Sequence, residues 1–234
     1  MVGSSAVGVE SSIDDIVFPA SDGTASPDTM VECWGTRLPL SALLEMPLLA
    51  DLNLPDIEAA LESAGALVDF AEAASVPWMV LTRTPTRIEL IAFENELQSS
   101  LALENREGEW RFAGGGRGGP PCTALTVLPE GLGEVNWIVD PAFGAPAASD
   151  SVLHLLATER ECASGRPMDD RLIGPRVEET ETAVRITFAV TPLPGDQNCP
   201  SNPATPITIA LKAPLGQRAM IEGRSLGVIT DLLA

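Results

Sequence analysis

Apolar residues recur at helical spacing between residues 38 and 74. Pro55 suits the first position of a helix, and the apolar positions that follow it fall on one helical face: Ile57, Leu61, Ala64, Val68 and Ala71. A shorter apolar stripe comes before this helix and is predicted to end at Pro47; it consists of Leu40, Leu43 and Leu44. The pattern therefore predicts two helices whose acidic side chains face solvent.

From Trp78 onward, apolar and polar residues alternate with a period of two, which is typical of strands. Residues 78–82 and 87–93 flank a short Thr-Pro-Thr connection and are predicted to form a hairpin. Residues 101–112 alternate around a turn at residues 105–108 and predict a second hairpin. We expect the two hairpins to form one small antiparallel sheet.

Three further strands are predicted in the last third of the chain. Residues 152–158 form an almost continuous apolar run, whereas residues 184–190 and 207–211 alternate regularly, as half-buried strands do. The lone histidine, His154, lies within the apolar run and is interpreted as a hydrogen-bonded core residue. Residues 141–149 have the composition of a linker and mark a candidate domain boundary.

These elements predict an α+β fold, with N-terminal helices packed on a small antiparallel sheet and a β-rich C-terminal module of antiparallel strands. The predicted domains are a flexible acidic N-terminal segment at 1–31, an α+β domain at 32–148 and a disulfide-stapled β-rich module at 149–234. Residues 114–121 form a glycine- and proline-rich run, which is interpreted as a flexible loop because no strand, helix and Lys-Ser/Thr arrangement for phosphate surrounds it.

The charge balance excludes two classes of partner. The 234 residues carry 33 acidic and 14 basic side chains, for a formal net charge of −19. Nucleic-acid binding needs clustered Lys and Arg, and an anionic membrane surface repels a protein of this charge. Residues 1–76 hold 13 acidic groups and one basic group, so the excess is concentrated there. No apolar run approaches the ~18 residues of a membrane span, so no transmembrane segment is expected.

The cysteines indicate an oxidising compartment. Four widely spaced cysteines lie beside turn-forming residues, and none belongs to a C-x-x-C or has a histidine at ligand spacing: Cys33, Cys122, Cys162 and Cys199. Of the three possible connectivities, we favour Cys33–Cys122 and Cys162–Cys199, because each bond then closes within one candidate module. Four buried free thiols are the alternative. No metal site and no cofactor are predicted.

Catalytic candidates are few. A nucleophilic triad needs a base at neutral pH, and the apolar surroundings of His154 do not favour that role. A glycosidase would need two carboxylates facing one substrate, and six acidic residues of the C-terminal half are candidates: Glu159, Glu161, Asp169, Asp170, Glu178 and Asp196. Arginines lie near them, so surface ion pairing explains these carboxylates equally well.

Several motifs of the last third carry a resemblance. The run Glu161-Cys162-Ala163-Ser164-Gly165-Arg166, the run Cys199-Pro200-Ser201-Asn202-Pro203 with Thr205-Pro206-Ile207-Thr208, and Pro214-Leu215-Gly216-x-Arg218 follow one another. Together they resemble a module of uncharacterised exported proteins and candidate lipoproteins of high-GC Gram-positive bacteria, across about residues 150–224. The resemblance implies a compartment and no activity. Family members usually begin with a signal sequence, which the first residues of this chain do not resemble.

The expected function is therefore that of a non-catalytic binding or structural module of the cell envelope or the extracellular medium. Its partner would be a protein, a peptide or a cell-wall component. The candidate contact residues belong to the loop at 192–206 and its arginine-rich neighbourhood: Arg160, Arg166, Arg171, Asn198 and Asn202. The alternative is a carboxylate-based, glycosidase-like hydrolase acting on an envelope or extracellular substrate.

Overall fold

The computed structural model describes residues 12–16, 18–19, 25–33, 35–67, 76–94, 97–119 and 121–233. In these residues it has fourteen strands and three α-helices. The chain divides into two compact units. Unit 1 comprises Met1–Thr24 and Thr126–Ser225, and unit 2 comprises Ala25–Leu125 and Leu226–Ala234.

Unit 2 contains two four-stranded sheets. The first sheet has the order β14-β7-β1-β2, and the second has the order β3-β4-β5-β6. The strands are β1 (Met30–Cys33), β2 (Thr36–Pro39), β3 (Met79–Arg83), β4 (Arg87–Glu94), β5 (Leu97–Arg106), β6 (Glu109–Gly119), β7 (Thr123–Thr126) and β14 (Ser225–Val228). The helices are α1 (Leu40–Leu44), α2 (Pro55–Leu67) and α3 (Ile229–Leu232).

The predicted long helix and both predicted hairpins are present in unit 2. Pro55 is the first residue of α2, whose Ile57 and Leu61 are buried in one cluster with Leu90 and Leu103 of the second sheet. Strands β3 and β4 pair antiparallel, as do β5 and β6. Val68 and Ala71, which the helical pattern includes, lie outside the described residues.

Unit 1 is built on one six-stranded sheet. Its order is β10-β11-β8-β9-β12, and β13 pairs with β11. The strands are β8 (Gly133–Val139), β9 (Val152–Glu159), β10 (Leu172–Glu179), β11 (Ala183–Val190), β12 (Thr205–Ala210) and β13 (Ala219–Glu222). The three predicted strands of this part of the sequence correspond to β9, β11 and β12.

The core of unit 1 combines buried side chains from several strands of this sheet. Leu153, Leu155 and Ile209, from β9 and β12, share a buried cluster with Ile186 and Phe188 of β11. Burying one such side chain contributes about 1.5–3 kcal/mol relative to leaving it exposed. The inner faces of β9 and β12 are thereby defined, and alternate residues of these strands point away from the core.

The predicted α+β class is wrong. Strands make up 45% of the structure and helices 13%, so the protein has a β-rich fold. Helix α2 does contribute to a core, but helices do not form a layer over a sheet. The sequence pattern overestimated the helical part because several strands are only four residues long, too short to show a period of two.

The glycine-rich run is also different from the prediction. Gly114 to Gly119 continue strand β6 and pair with β5. A Cβ atom on Gly115 would lie 2.5 Å from the backbone oxygen of Ser100, so no other residue fits there without a shift of the strand. A close approach of two strands, and not a loop, therefore requires glycine at this position.

Two further predictions concern the division of the chain. The predicted boundary at residue 148 falls inside unit 1, in the connection between β8 and β9, which pair with each other. The predicted flexible segment 1–31 is described only in part. In that part Ile16 is buried with Leu128 and Ala189 of unit 1, and the segment ends in β1.

Both predicted disulfides are present. Cys33 is bonded to Cys122 within unit 2, and Cys162 is bonded to Cys199 within unit 1, which confirms the sequential pairing. Free cysteines are absent. Each bond restricts the unfolded chain by about 4 kcal/mol in the loop-entropy account. Two structural disulfides are typical of proteins in oxidising, extracytoplasmic compartments.

Candidate functional site

The predicted contact residues lie in two loops that the second disulfide joins. Residues 160–171 connect β9 to β10, and residues 191–204 connect β11 to β12. The Cα atoms of Cys162 and Cys199 are 4.6 Å apart. Beside the bond, the backbone N–H of Ser164 donates to the Asn198 carbonyl at 3.0 Å, and the backbone N–H of Asn198 donates to Ser164 Oγ at 3.1 Å. The two loops therefore form one structural unit.

Asn202 fastens the same two loops. Its Nδ2 group donates to the carbonyl oxygens of Glu159 at 3.0 Å and Glu161 at 2.6 Å. Both donor hydrogens of the amide are used inside the protein. Asn202 was predicted to contact a partner, but these bonds assign its Nδ2 group to holding the loop.

Arg171 is likewise engaged within the protein. Its Nη1 group donates to Glu159 Oε1 at 3.0 Å and to the carbonyl of Thr191 at 2.8 Å, while Nη2 donates to the second oxygen of Glu159. The two side chains are only 11% and 2% exposed. The hydrogen bond to Glu159 raises the pKa of the Arg171 guanidinium above its usual value. A buried, bidentate pair of this kind positions loops and offers little to a ligand.

Arg160 belongs to a second ion-pair network. It pairs with Glu134 of β8, and the other oxygen of Glu134 accepts from the buried Arg224 at 2.9 Å. Burial alone acts to raise the pKa of Glu134. The attraction of Arg224 and the hydrogen bonds from Arg224 and Arg160 outweigh it and hold that pKa below its ordinary value. Arg160 therefore pairs with a largely buried carboxylate, while part of its own side chain remains at the surface.

The Pro-Leu-Gly-x-Arg motif has a comparable role. Arg218 pairs with Glu179 of β10 at 2.7 Å and donates to the carbonyl oxygens of Ala213, Pro214 and Leu215. The guanidinium thus closes the turn that follows β12. This motif shapes a loop.

Arg166 and Asn198 are the predicted contact residues whose side-chain polar groups make no hydrogen bond or ion pair with the described residues. Arg166 is exposed and lines an open groove of about 420 Å³, together with Pro167, Asp169, Asp170, Arg171 and Leu193. Asp169 accepts a hydrogen bond from Thr205 at 2.8 Å. Of the predicted contact residues, Arg166 thus places at this groove a positive charge that has no ion-pair partner among the described residues.

Three of the six candidate carboxylates lie at the groove or pair with a residue that lines it. Asp169 and Asp170 share the groove, but they are adjacent in sequence on one loop. Glu159 is buried in its pair with Arg171. A glycosidase needs two carboxyl groups that flank the substrate from opposite sides, and Glu159, Asp169 and Asp170 offer no such pair.

A different surface stands out on the sheet of unit 1. Strand pairing aligns Ile138 of β8, Leu156 of β9 and Pro206 of β12 in one row across the sheet, on the side away from the core. The side chains of Ile138 and Val152 remain 60% and 41% exposed. Antiparallel sheets with one solvated face normally carry polar residues there. We call this surface the outer face; it comprises Asn136, Ile138, Phe143, Val152, His154, Leu156, Thr158, Pro206, Thr208 and Ala210.

Phe143 and His154 form the centre of the outer face. Phe143 belongs to the loop after β8 and is 63% exposed, and its ring stacks on the His154 imidazole with 3.8 Å between centroids. Thr208 Oγ1 lies 3.3 Å from His154 Nδ1. The interpretation of His154 as a core residue is therefore wrong: the imidazole is half-buried and faces outward.

The loop at residues 140–151 adds a recess to this face. The recess has a volume of about 450 Å³ and is lined by Val139, Phe143, Gly144, Pro146, Ser149, Asp150, Ser151, Val152 and His154. Two aspartates hold its shape, because Asp140 accepts from the N–H of Ala142 at 2.9 Å and Asp150 accepts from the N–H of Ala147 at 2.8 Å. The predicted linker is thus a shaped loop beside an apolar face.

Sequence reasoning missed the outer face because the run at residues 152–156 was assigned to the interior. A strand that is apolar at every position is normally buried on both sides. The same pattern arises when one side is left open, and the alternating burial along β9 in the folded sheet shows that it has such a side. The apolar run at residues 152–156 is visible in the sequence, but such a run does not show whether one face of the strand is covered or exposed.

Among the described residues, no cluster of His, Cys, Asp and Glu side chains is arranged to hold a metal ion. None of the described helices has the length and apolar character needed to cross a membrane. No family model, no curated protein and no solved structure matches the chain.

Proposed function

We propose that the protein is a non-catalytic binding module of the extracellular medium or the cell envelope, which holds a protein partner on the outer face. The observation that carries the proposal is a sheet surface with exposed Ile138, Phe143 and Val152 and no charged side chain on the face itself. Exposed apolar patches of this kind mark interaction sites.

The compartment part of the proposal rests on the two disulfides and on the resemblance of residues 150–224 to exported proteins of high-GC Gram-positive bacteria. The non-catalytic part is supported by the internal contacts that the candidate residues make. Arg160, Arg171 and Asn202 make internal contacts, and Glu159 is buried in its pair with Arg171.

The loop cluster around Cys162 and Cys199 is then a scaffold, with Arg166 as a secondary contact at most. Its hydrogen bonds and ion pairs keep β9 and β12 in place at the end where the outer face begins. This assignment reverses the emphasis of the sequence prediction, which placed the contact surface on the loops.

The test compares capture by matched variants of the full chain. A benzophenone group at position 138 of the immobilised protein is photo-cross-linked to envelope extracts and culture medium of a high-GC Gram-positive bacterium. Any captured protein is purified, and its dissociation constant is measured for wild type, Phe143→Ser and Arg166→Ala. We expect Phe143→Ser to weaken binding at least tenfold and Arg166→Ala to change it less than threefold.

The opposite ranking of the two variants would move the contact surface to the loops. Equal binding by all three proteins would remove the outer face from the proposal. Thermal unfolding of each variant is the control, and both are expected to keep the wild-type midpoint within about 2 °C, because both side chains are exposed.

A further inference from the structure

The side chains of the outer face restrict what a partner can place against it. Ile138, Leu156 and Pro206 form one row, and the next row holds His154 and Thr208, with the Phe143 ring over His154. A charged group docked over the first row would lose its water without meeting a counter-ion. The contact side chains of a partner must therefore be apolar and uncharged.

The rim of the recess indicates which charge a partner should carry next to its apolar contact residues. Asp150, which is partly exposed, lines the recess beside Phe143 and His154, whereas Asp140, directly after β8, is buried. The Asp150 carboxylate accepts the N–H of Ala147, which leaves further lone pairs for a donor from a partner. At the far end of β9, Arg160 is paired with Glu134. Asp150 thus places an acidic group at the side of the outer face next to the recess.

A second copy of this chain does not fit these conditions. Each copy has a formal net charge of −19, and bringing two outer faces together would add no basic group to the recess beside Asp150. A partner with basic groups next to its apolar residues would be attracted by the negative charge of this protein, whereas a second copy would be repelled by it.

We infer that the outer face binds a protein segment whose contact side chains are apolar and whose flanks carry Lys or Arg. This inference rests on the proposed function and names the class of partner for the same site. The apolar row supplies the contact area, and Asp150 receives the basic flank at the rim of the recess.

The probe is a phage-displayed library of random twelve-residue peptides. It is selected on the immobilised full chain at low ionic strength and depleted on the Ile138→Asp variant, and the enriched peptides are then synthesised. We expect enriched sequences with an apolar centre and at least one flanking Lys or Arg. Their dissociation constants should rise at least tenfold for Ile138→Asp and severalfold for Asp150→Asn, and severalfold between 20 and 300 mM NaCl.

The outcomes separate this inference from the proposed function. Peptides that depend on Ile138 but are acidic, or whose binding is unchanged by salt and by Asp150→Asn, would overturn the partner class and leave the outer face as a binding site. The absence of any peptide that distinguishes wild type from Ile138→Asp would overturn both. Phe143→Ser serves as the second face variant if Ile138→Asp fails to fold, which circular dichroism will show.

Discussion

Single residues in the same loop differ in what they do. Asn198 and Asn202 lie four positions apart, and both were predicted as contact residues. Asn202 uses its amide to hold two carbonyl oxygens, whereas the Asn198 side chain makes no hydrogen bond with the described residues. No sequence feature separates the two asparagines, because their roles depend on which backbone atoms lie within reach.

We predict that Asn202→Ala lowers the free energy of unfolding by about 1–3 kcal/mol, since two hydrogen bonds to backbone carbonyls are lost. Asn198→Ala is the matched control and should change it by less than about 0.5 kcal/mol. Urea denaturation of both variants measures the difference. Equal effects would mean that Asn202 does not fasten the loop.

At the scale of secondary-structure elements, ion pairs join strands that are far apart in sequence. Glu134 of β8 bonds Arg160 after β9 and Arg224 before β14, and Glu179 of β10 bonds Arg218 after β12. Removing one member of a buried pair leaves the other charge without compensation, which is strongly destabilising. The arginines of unit 1 thus act largely as connectors between elements.

This arrangement predicts a specific acid sensitivity. The folded state holds the pKa of Glu134 below its ordinary value, so the stabilisation is complete above about pH 4.5 and is lost as the pH falls through the folded pKa. Glu134→Gln should cost about 3 kcal/mol at pH 7. Its loss of stability between pH 7 and pH 3.5 should be smaller than that of wild type, as measured by urea denaturation at each pH.

The control for this variant is Glu109→Gln. Glu109 pairs with Arg111 at the surface, where both side chains are more than half exposed. Exposed pairs contribute about 0–1 kcal/mol, so this variant should follow the wild-type pH dependence. If Glu134→Gln and Glu109→Gln behave alike, the Glu134 network does not stabilise unit 1.

At the scale of the whole molecule, the two disulfides differ in accessibility. Cys33 and Cys122 are buried in unit 2, whereas Cys199 is exposed in unit 1. A reductant attacks a sulfur that it can reach, so exposure favours reaction at the second bond. Each unit therefore has its own bond, and the two bonds should react separately.

We predict that the unfolded, unreduced protein has no reactive thiol. A low concentration of a thiol reductant, applied to the folded protein and followed by alkylation, should modify Cys162 and Cys199 before Cys33 and Cys122. Peptide mass spectrometry after partial reduction measures the order. Four reactive thiols before reduction would contradict the disulfides themselves and the extracytoplasmic compartment with them.

The sequence alone predicted the strong strands, the helix that begins at Pro55 and the favoured disulfide pairing, and the structure confirms all three. The strands and the helix follow from local periodicity, and the pairing follows from the expectation that each bond closes within one module. The β-rich class was not predicted, because four-residue strands carry no readable period and are stabilised by neighbours distant in sequence.

Only the tertiary structure decided which surfaces are available. It placed Arg171 and Asn202 in internal contacts, made a strand of the glycine run and left one side of β9 uncovered. Burial depends on strand order and on which loop lies over which face, and these are relations between residues far apart in the chain. The local pattern identified β9 as an apolar strand. The packing of its sheet decided that one row of its apolar side chains would be buried and the other left at the surface.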